Sequence, residues 1–384
     1  MKCLLIGSSF SAVPMLLDLK QRGAQVTVIG KYKGDPCHLY ADYSVFEDYS
    51  DPEVLLKICQ EHSFDYIVPT CNDYSYVAAS YVAEQMGLPG FDFPLTTAIL
   101  HTKDDFRRFC LGIGVRVPKI YGEVSEIHQT LFEDIQGSVL VKPVDSFSGR
   151  GVQRVYGAQE LPAAIQAAFS MSRNKRAVVE EFVDGALHSH TAFIINGQVI
   201  WHDFVDEFCE IYPYQVDRSS YPSCLSAVMR GVVHESIKKI IAALNLCNGL
   251  LHTQFIASDR EFWIIECMRR CPGDFYGYHF KYAFGYDYMQ QYVASFVGAC
   301  PQPPAPGGVV QPIERRVISV DQQHIFFGIA LNTDSRQSIF VPLKESGNRI
   351  EAAPFDKAGI LFLLGRSDGS ITAEAPASRI ISYD

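Results

Sequence analysis

The chain has 384 residues, of which 48% are hydrophobic and 20% are charged, and its formal net charge is -10. These values are ordinary for a soluble globular protein of two or three domains. The negative charge, together with the absence of a long Lys/Arg run, excludes a long duplex nucleic acid as the partner. No stretch reaches the roughly 18 apolar residues of a membrane span.

The first hundred residues alternate between strand and helix patterns. The strand patterns are KCLLIG, AQVTVIG and DYIVPT, and the helical patterns are SAVPMLLDLKQRG, SDPEVLLKICQEH and NDYSYVAASYVAEQMG. Such alternation predicts a parallel sheet with right-handed crossovers. We expect Ser50 or Asp51 to cap the second helix, with Pro52 in its first turn. The turn GSSFSA is not GxGxxG, and no acidic residue follows the second strand, so we reject a nicotinamide cofactor.

The rest of the chain divides into three stretches. A helix over 94–114 precedes short strands and one helix up to about 185, and longer strands with two helices follow to about 300. The proline-rich connector CPQPPAPGGVVQP marks a boundary, and a β-rich segment ends the chain. The sequence predicts an α/β (α+β) protein with an N-terminal domain at 1–100, a central domain at 101–305 with a smaller subdomain at about 115–185, and a segment at 306–384.

The eleven cysteines indicate the redox environment. No CxxC pair is present, and Cys267 and Cys271 have no second Cys or His pair to complete a zinc site. An odd number of cysteines without a secretory framework predicts free thiols in a reducing, cytoplasmic compartment. The N-terminal MKCLLIGSSF resembles a signal peptide only briefly, and a first strand with a glycine turn is the better interpretation.

A lysine and a small-residue loop suggest a phosphate site in LVKPVDSFSGRGV. Lys142 ends an apolar strand, where its ammonium can be held at a fixed point of a cleft. The loop that follows offers free backbone N–H groups and glycine flexibility, which suit a lid over phosphates; it contains Ser146, Ser148, Gly149, Arg150 and Gly151. The alternative is an ordinary surface turn, since the loop is not a Walker A motif.

Two further strand ends carry acidic residues. VVEEFVDG contains Glu180 and Glu181, which suit the exocyclic amine of an adenine, and the alternative is a solvated glutamate pair. WIIECMRRCPGDF places Glu266 at the end of a buried strand, followed by Arg270 and Asp274. A carboxylate there suits magnesium and an arginine suits an anion, whereas the alternative is a strand-end ion pair.

These motifs, with Lys103 in LHTKDDFRRF, jointly resemble the ATP-grasp superfamily over about residues 1–300. The resemblance implies an ATP-grasp fold with a Rossmann-like parallel-sheet domain before it and a small β-rich segment after it. It implies ATP and Mg²⁺ as cofactors, with Lys103 and Lys142 on the α and β phosphates and the 146–151 loop, including Arg150, above them. It further implies the following sites: Glu180, Glu181 and Val183 at the adenine, Glu266 at magnesium, and Arg270 at the transferred phosphoryl group or the acyl substrate.

The chain departs from the superfamily pattern at three positions. Gln254 stands where many members have Glu, and it still offers a neutral oxygen to magnesium. Met268 replaces an Asn and is a poor ligand for a hard cation. A Glu that contacts ribose is replaced in GALHSH, where His188 or His190 is expected to serve instead.

The resemblance implies an ATP-dependent carboxylate–amine ligase that forms an acyl phosphate and excludes water from it. Asp274 is a candidate to accept the proton of the attacking amine, or else a turn residue that bonds its own backbone. The residues expected near the substrates lie in 205–224 and 274–279, and the partners are small carboxylates and amines, with a homodimer expected by analogy. The alternatives are a nucleotide-binding relative without turnover and an enzyme that uses bicarbonate.

Overall fold

The structure is a computed structural model that describes residues 1–125, 135, 137–146, 149–331, 337–365 and 378–383. Within these residues it contains four sheets, and helices cover them. In this part of the chain no helix combines the length and the apolar character that a membrane crossing requires.

The N-terminal sheet is parallel, as the alternating pattern predicts. Its strand order is β3-β2-β1-β4. The strands are β1 Lys2–Ile6, β2 Gln25–Ile29, β3 Tyr43–Val45 and β4 Tyr66–Pro69. A 3₁₀ turn at Phe10–Ala12 follows β1, and the helices are α1 Val13–Gln21, α2 Pro36–Tyr40, α3 Pro52–His62 and α4 Asp73–Met86. The short elements β3 and α2 were not predicted, because neither is long enough to show a hydrophobic period.

Helix ends in this region follow local side-chain chemistry. The Asp51 carboxylate accepts hydrogen bonds from the N–H groups of Glu53 and Val54, so Asp51 rather than Ser50 caps α3. Asn72 caps α4 in the same way. The helix predicted over 94–114 is two helices, α5 Pro94–His101 and α6 Lys103–Gly112, because Thr102 between them is extended.

A small antiparallel sheet follows, in the order β5-β8-β6-β7. Its strands are β5 Ile120–Val124, β6 Val139–Pro143, β7 Gln153–Val155 and β8 Ala177–Glu181, and α7 spans Leu161–Met171. Val141 and Val179 pack with α7 in one apolar cluster. Because side chains alternate along a strand, Leu140, Lys142 and Glu180 occupy the other face.

An eight-stranded antiparallel sheet is the centre of the molecule, and its order is β13-β12-β9-β10-β11-β14-β18-β16. Its strands are β9 Ala186–Ile195, β10 Gln198–Phe208, β11 Arg218–Tyr221, β12 Gly249–Ala257, β13 Phe262–Met268, β14 Ile313–Ile318, β16 Ser338–Pro342 and β18 Gly359–Leu364. The helices beside it are α8 Ala227–Leu244, α9 Tyr278–Phe284 and α10 Tyr288–Ala294. A three-stranded sheet contains β15 His324–Leu331, β17 Arg349–Ile350 and β19 Ser378–Tyr383.

Strand alternation gives the central sheet two different faces. On one face, Ile194, Phe204 and Phe255 pack against α8 in an apolar cluster. We call this the helix face. The opposite face, which we call the cavity face, carries the intervening residues of the same strands, among them Glu207, Gln254 and Glu266. The strands after residue 312 continue this sheet, because β14 pairs with β11. The predicted domain boundaries at residues 100 and 305 stay predictions.

Candidate functional site

A cavity of about 1260 Å³ lies where the N-terminal, small and central sheets meet. The loops after β1, β2 and β4 contribute to its wall through Ser8, Lys31 and Cys71. Those loops stand at the carboxyl ends of parallel strands, where α/β proteins bind their ligands. The volume exceeds the roughly 300–1,000 Å³ of a typical small-molecule pocket. The cavity therefore has room for more than one ligand.

Lys142 stands on the cavity side of the small sheet and is paired with a buried carboxylate. Its ammonium donates to Glu180, and the Arg107 guanidinium lies 3.2 Å from the other oxygen of that carboxylate. Burial alone would raise the pKa of Glu180, but Lys142 and Arg107 lower it below its ordinary value. Glu180 is thus an ionised counter-charge for two cations, and it lines the cavity beside Lys142.

Lys103 is the first residue of α6 and reaches the start of the glycine loop. Its Nζ donates to the Ser146 carbonyl over 2.8 Å. Burial, together with the nearby Lys142, lowers the pKa of Lys103. Two ammonium groups are therefore held close together in the same cavity, an arrangement that an anionic ligand would stabilise.

The predicted phosphate loop is tightly constrained where the structure describes it. The Ser146 hydroxyl donates to the Arg150 carbonyl over 3.2 Å. Gly149 has φ +70°, and a Cβ there would come within 2.5 Å of the Tyr214 carbonyl oxygen. Gly151 has φ +74° and packs against Pro143, so both glycines are required by their backbone and their neighbours.

The members of this loop differ in how they relate to the cavity. Ser146, Gly149 and Arg150 line it, and the Arg150 guanidinium lies 5.3 Å from the centre of the Phe355 ring. Gly151 is absent from the lining, and Ser148 lies outside the described residues.

The segment after β8 forms one wall of the cavity. Glu181 and Val183 both line it. The Glu181 carboxylate accepts a hydrogen bond from the Lys119 N–H at 3.2 Å, while its own N–H donates to the Lys119 carbonyl over 2.8 Å. Glu181 thus makes two hydrogen bonds to Lys119, the residue before β5, which fixes this wall of the cavity.

Oxygen donors gather on the cavity face of the central sheet. Gln254 and Glu266 are directly opposite each other on β12 and β13. The Gln254 Nε2 donates to Glu207 Oε2 over 2.8 Å, which leaves the amide oxygen for another partner. Burial, and to a smaller degree Glu266, raise the pKa of Glu207. Two carboxylates and an amide oxygen on the same cavity wall are donors that fit Mg²⁺.

Met268 belongs to the same surface but offers no oxygen. It is 5% exposed, lines the cavity, and is opposite His252 in the β12–β13 pair. Its thioether cannot replace a carboxylate or amide toward a hard cation. Glu207, which the sequence suggested only as one of several residues near the substrates, supplies a second carboxylate instead.

Arg270 is held in place by an ion pair with Asp73. Its guanidinium lies 2.7 Å from Asp73 Oδ2, and His101 Nδ1 lies 3.1 Å from the other carboxylate oxygen. Although burial alone would raise the pKa of Asp73, Arg270 and His101 hold it well below its ordinary value. Arg270 lines the cavity, and its ion pair with Asp73 at the start of α4 fixes the position of its guanidinium.

Asp274 lines the cavity as half of an ion pair. Its Oδ1 accepts from Lys357 Nζ over 2.6 Å, and its carbonyl accepts from Arg315 over 3.0 Å. Burial acts to raise the pKa of Asp274, but Lys357 and Arg315 lower it below its ordinary value. A carboxylate stabilised in this way is a weak proton acceptor. The ion pair therefore argues against the proton-accepting role expected from the sequence.

His188, like the alternative ribose candidate His190, is on the helix face of the central sheet and is absent from the cavity lining. It is 3% exposed on the helix face, where its Nδ1 lies 2.8 Å from Asp206 and its ring stacks on Phe255. Its neighbour Leu187 is the one that lines the cavity. The alternation of side chains along β9 directs consecutive residues to opposite faces, so the expected ribose contact is not supported.

Two cavity residues from the C-terminal strands were missed by the sequence analysis. Arg315 on β14 is 4% exposed, and its Nη2 donates to the Ser219 hydroxyl over 2.7 Å. Lys357 precedes β18 and pairs with Asp274. The sequence signal for Arg315 was a run of three charged residues, Glu-Arg-Arg, inside the strand IERRVI, which a solvent-facing edge would explain equally well.

Comparison with known proteins gives distant relatives, and no protein-family profile matches the chain. Formate-dependent phosphoribosylglycinamide formyltransferase of Synechococcus sp. (strain CC9605) is 27% identical over 184 residues, which are 47% of each chain. The chain thus spans about half the length of this curated relative. L-amino acid ligase of Bacillus licheniformis superposes with a TM-score of 0.78 at 19% identity, over 100% of this chain and 99% of that one. Biotin carboxylase of Campylobacter jejuni, solved as a beta-gamma-ATP complex, superposes with a TM-score of 0.73 at 17% identity, over 96% of this chain and 88% of that one.

Proposed function

Because this chain has the fold of the ATP-grasp superfamily, we propose that it is an ATP-dependent carboxylate–amine ligase. The fold alone does not assign an activity, so the proposal rests on the site. The observation that carries it is one cavity lined both by the cations Lys103, Lys142 and Arg270 and by the oxygen donors Glu207 and Glu266. That combination matches a nucleoside triphosphate with its divalent cation.

The nucleotide is bound from three sides. Lys103 and Lys142 hold the α and β phosphates, and the glycine loop that begins at Ser146 covers them. Glu181 and Val183 form the wall beside the adenine. Glu180 orients Lys142 through their ion pair, which makes Glu180 a positioning residue for the phosphate site.

Glu266, Glu207 and the Gln254 amide oxygen would hold the magnesium ion. When bound, this ion neutralises charge on the phosphate oxygens during transfer. Arg270, fixed by Asp73, adds a second positive charge beside the transferred group.

The reaction has two steps. In the first, an oxygen of the substrate carboxylate attacks the γ-phosphorus of ATP, the bond to the bridging oxygen breaks, and ADP leaves. In the second, the amine nitrogen attacks the acyl carbon, the bond to the phosphate oxygen breaks, and inorganic phosphate leaves with the proton that the amine loses. The cavity must exclude water between these steps, because water would hydrolyse the acyl phosphate.

Relatives suggest which substrates to try first. One curated relative is named for formate and a glycinamide ribonucleotide, and one structural neighbour is named for L-amino acids. Arg315, a buried cation on the cavity wall, suits the binding of a substrate carboxylate. Formate and amino acids are therefore the first carboxylates to test.

ADP release from the purified chain, measured with carboxylates and amines singly and in pairs, tests the proposal. A ligase requires both partners and yields their condensation product. Release that requires bicarbonate instead would assign a carboxylase-type reaction. Nucleotide binding without release for any pair would favour a relative that has lost turnover, and absence of nucleotide binding would end the proposal.

A further inference from the structure

Three histidines on the helix face of the central sheet form a cluster that the nucleotide site does not use. They are His190 on β9, His202 on β10 and His234 on α8, and one ligand atom of each lies within 4.8 Å of the others. The His190 Nε2 and the His234 Nδ1 are 3.2 Å apart. We propose that these three imidazoles bind a divalent transition-metal ion, for which Zn²⁺ is the reference case.

The distances are close to those of a zinc site. Zinc–nitrogen bonds of about 2.0–2.1 Å in a tetrahedron place two ligand nitrogens about 3.3 Å apart. The pair of His190 and His234 has this spacing already. His202 stacks on His234 with ring centres 3.7 Å apart, so both rings must turn to point at one ion. His202 and His234 are only partly buried, whereas His190 is fully buried.

Hydrogen bonding satisfies this cluster only in part, through the contact between His190 Nε2 and His234 Nδ1. Three neutral imidazoles carry three N–H groups and three nitrogen lone pairs. Among the described residues, Nδ1 of His190 and Nδ1 of His202 are buried and have no hydrogen-bond partner. By contrast, His188 on the same face is paired with Asp206. A metal ion would use one lone pair from each ring of the cluster.

The rings are in the protonation state that a metal needs. Burial lowers the pKa of His234 to about 4, and burial also lowers the pKa of His190 and His202. Charged side chains of both signs lie near the histidine cluster. Asp203 neighbours His202, while Arg230 donates to the carbonyls of Ser223 and Leu225.

Imidazole nitrogen selects zinc-like ions over magnesium. Three protein ligands leave a fourth position for water or another small ligand. Because α8 supplies one ligand and the sheet supplies two, the bound ion would join the helix to the sheet. Such an ion binds the folded chain preferentially and raises its thermal stability.

The test uses the full chain after chelator treatment. Mg²⁺ is present in excess so that it fills the proposed magnesium site, the oxygen site, at Glu207, Gln254 and Glu266. Zn²⁺ binding is measured by calorimetry, and Co²⁺ serves as an optical probe of ligand type. We expect one ion per chain, a rise of the melting temperature with Zn²⁺, and Co²⁺ bands of an imidazole site without thiolate charge-transfer bands.

The variant His234→Gln should weaken Zn²⁺ binding at least 10-fold and remove the rise in melting temperature. His234 is half-buried on a helix surface, so the variant is expected to fold. The control is His62→Gln, an exposed histidine on α3, which should bind as the wild type does. Equal binding by His234→Gln, thiolate bands with Co²⁺, or no uptake by the wild type would overturn the proposal.

Discussion

The two faces of the central sheet are made by the same strands but collect different chemistry. On the cavity face, Glu207, Gln254 and Glu266 supply oxygen atoms. On the helix face, the cluster of His190, His202 and His234 supplies nitrogen atoms. Because side chains alternate along a strand, one residue of shift exchanges the faces completely. The sheet thereby separates a set of donors that suits a hard cation from one that suits a zinc-like ion.

The largest expected effect concerns Lys142 on the small sheet, the lysine that we propose binds phosphate. Lys142→Ala should lower turnover by about 100-fold or more and weaken nucleotide binding, because a charge aimed at phosphate is removed. ADP release and calorimetry with a non-hydrolysable ATP analogue measure the two effects.

Lys57→Ala, which removes an exposed lysine on α3, is the matched control and should leave both measurements unchanged. Thermal melting monitors folding, since Lys142→Ala leaves Arg107 as the remaining ion-pair partner of the buried Glu180. Activity within a few-fold of the wild type in a folded Lys142→Ala protein would mean that the phosphates bind elsewhere.

The second prediction separates the two faces directly. Glu207→Gln keeps the size of the side chain but removes a carboxylate from the oxygen site, so the Mg²⁺ concentration for half-maximal turnover should rise about 10-fold or more. Zn²⁺ binding by the histidine cluster should not change. An unchanged Mg²⁺ requirement would mean that Glu207 is not a ligand and that Glu266 is the main carboxylate ligand. The control is Glu61→Gln, which changes an exposed glutamate of α3.

A third prediction concerns the hydrogen-bonded pair of His188 and Asp206 on the helix face. The Asp206 carboxylate accepts from Ser223, from the Cys224 N–H at 2.8 Å and from His188. Burial opposes this charge, but His188 and the other donors lower the pKa of Asp206 to about 2. Asp206→Asn should therefore lower the free energy of unfolding by about 2 kcal/mol at neutral pH.

The sign of the pH dependence follows from the lowered pKa. Stability from Asp206 is fully present above its unfolded pKa of about 4 and is lost as the pH falls towards about 2. Urea unfolding at several pH values should show the wild-type advantage over Asp206→Asn shrinking through that window. A difference that stays constant down to pH 2 would assign the effect to packing rather than to charge.

The sequence predicted those features of the fold and the site that depend on residues close together in the chain, and it missed those that depend on long-range strand pairing. The ATP-grasp resemblance and the α/β fold class are confirmed. Both were predicted from strand ends, helix caps and glycine turns, which are determined by residues adjacent in the sequence. The site residues stay predictions, although Lys142 and Glu266 do line one cavity. His188 was misplaced because the face that a strand residue occupies depends on register with distant strands. Arg315 and Lys357 were missed for a related reason, since β14 and β18 reach the cavity only through long-range pairing.

The smallest expected effect tests Met268, whose side chain offers no oxygen to the cavity face. Met268→Asn restores an amide beside Gln254 and Glu266, so activity should stay within a few-fold of the wild type or rise, and the Mg²⁺ requirement should fall slightly. The same activity assay at varied Mg²⁺ measures this. Met268 is 5% exposed, and a polar group there without a ligand costs stability, so thermal melting should show a modest decrease in the absence of Mg²⁺ and nucleotide. A large loss of activity in a folded variant would instead mean that the thioether contacts substrate, and the cavity face would then carry a specificity role beyond its oxygen donors.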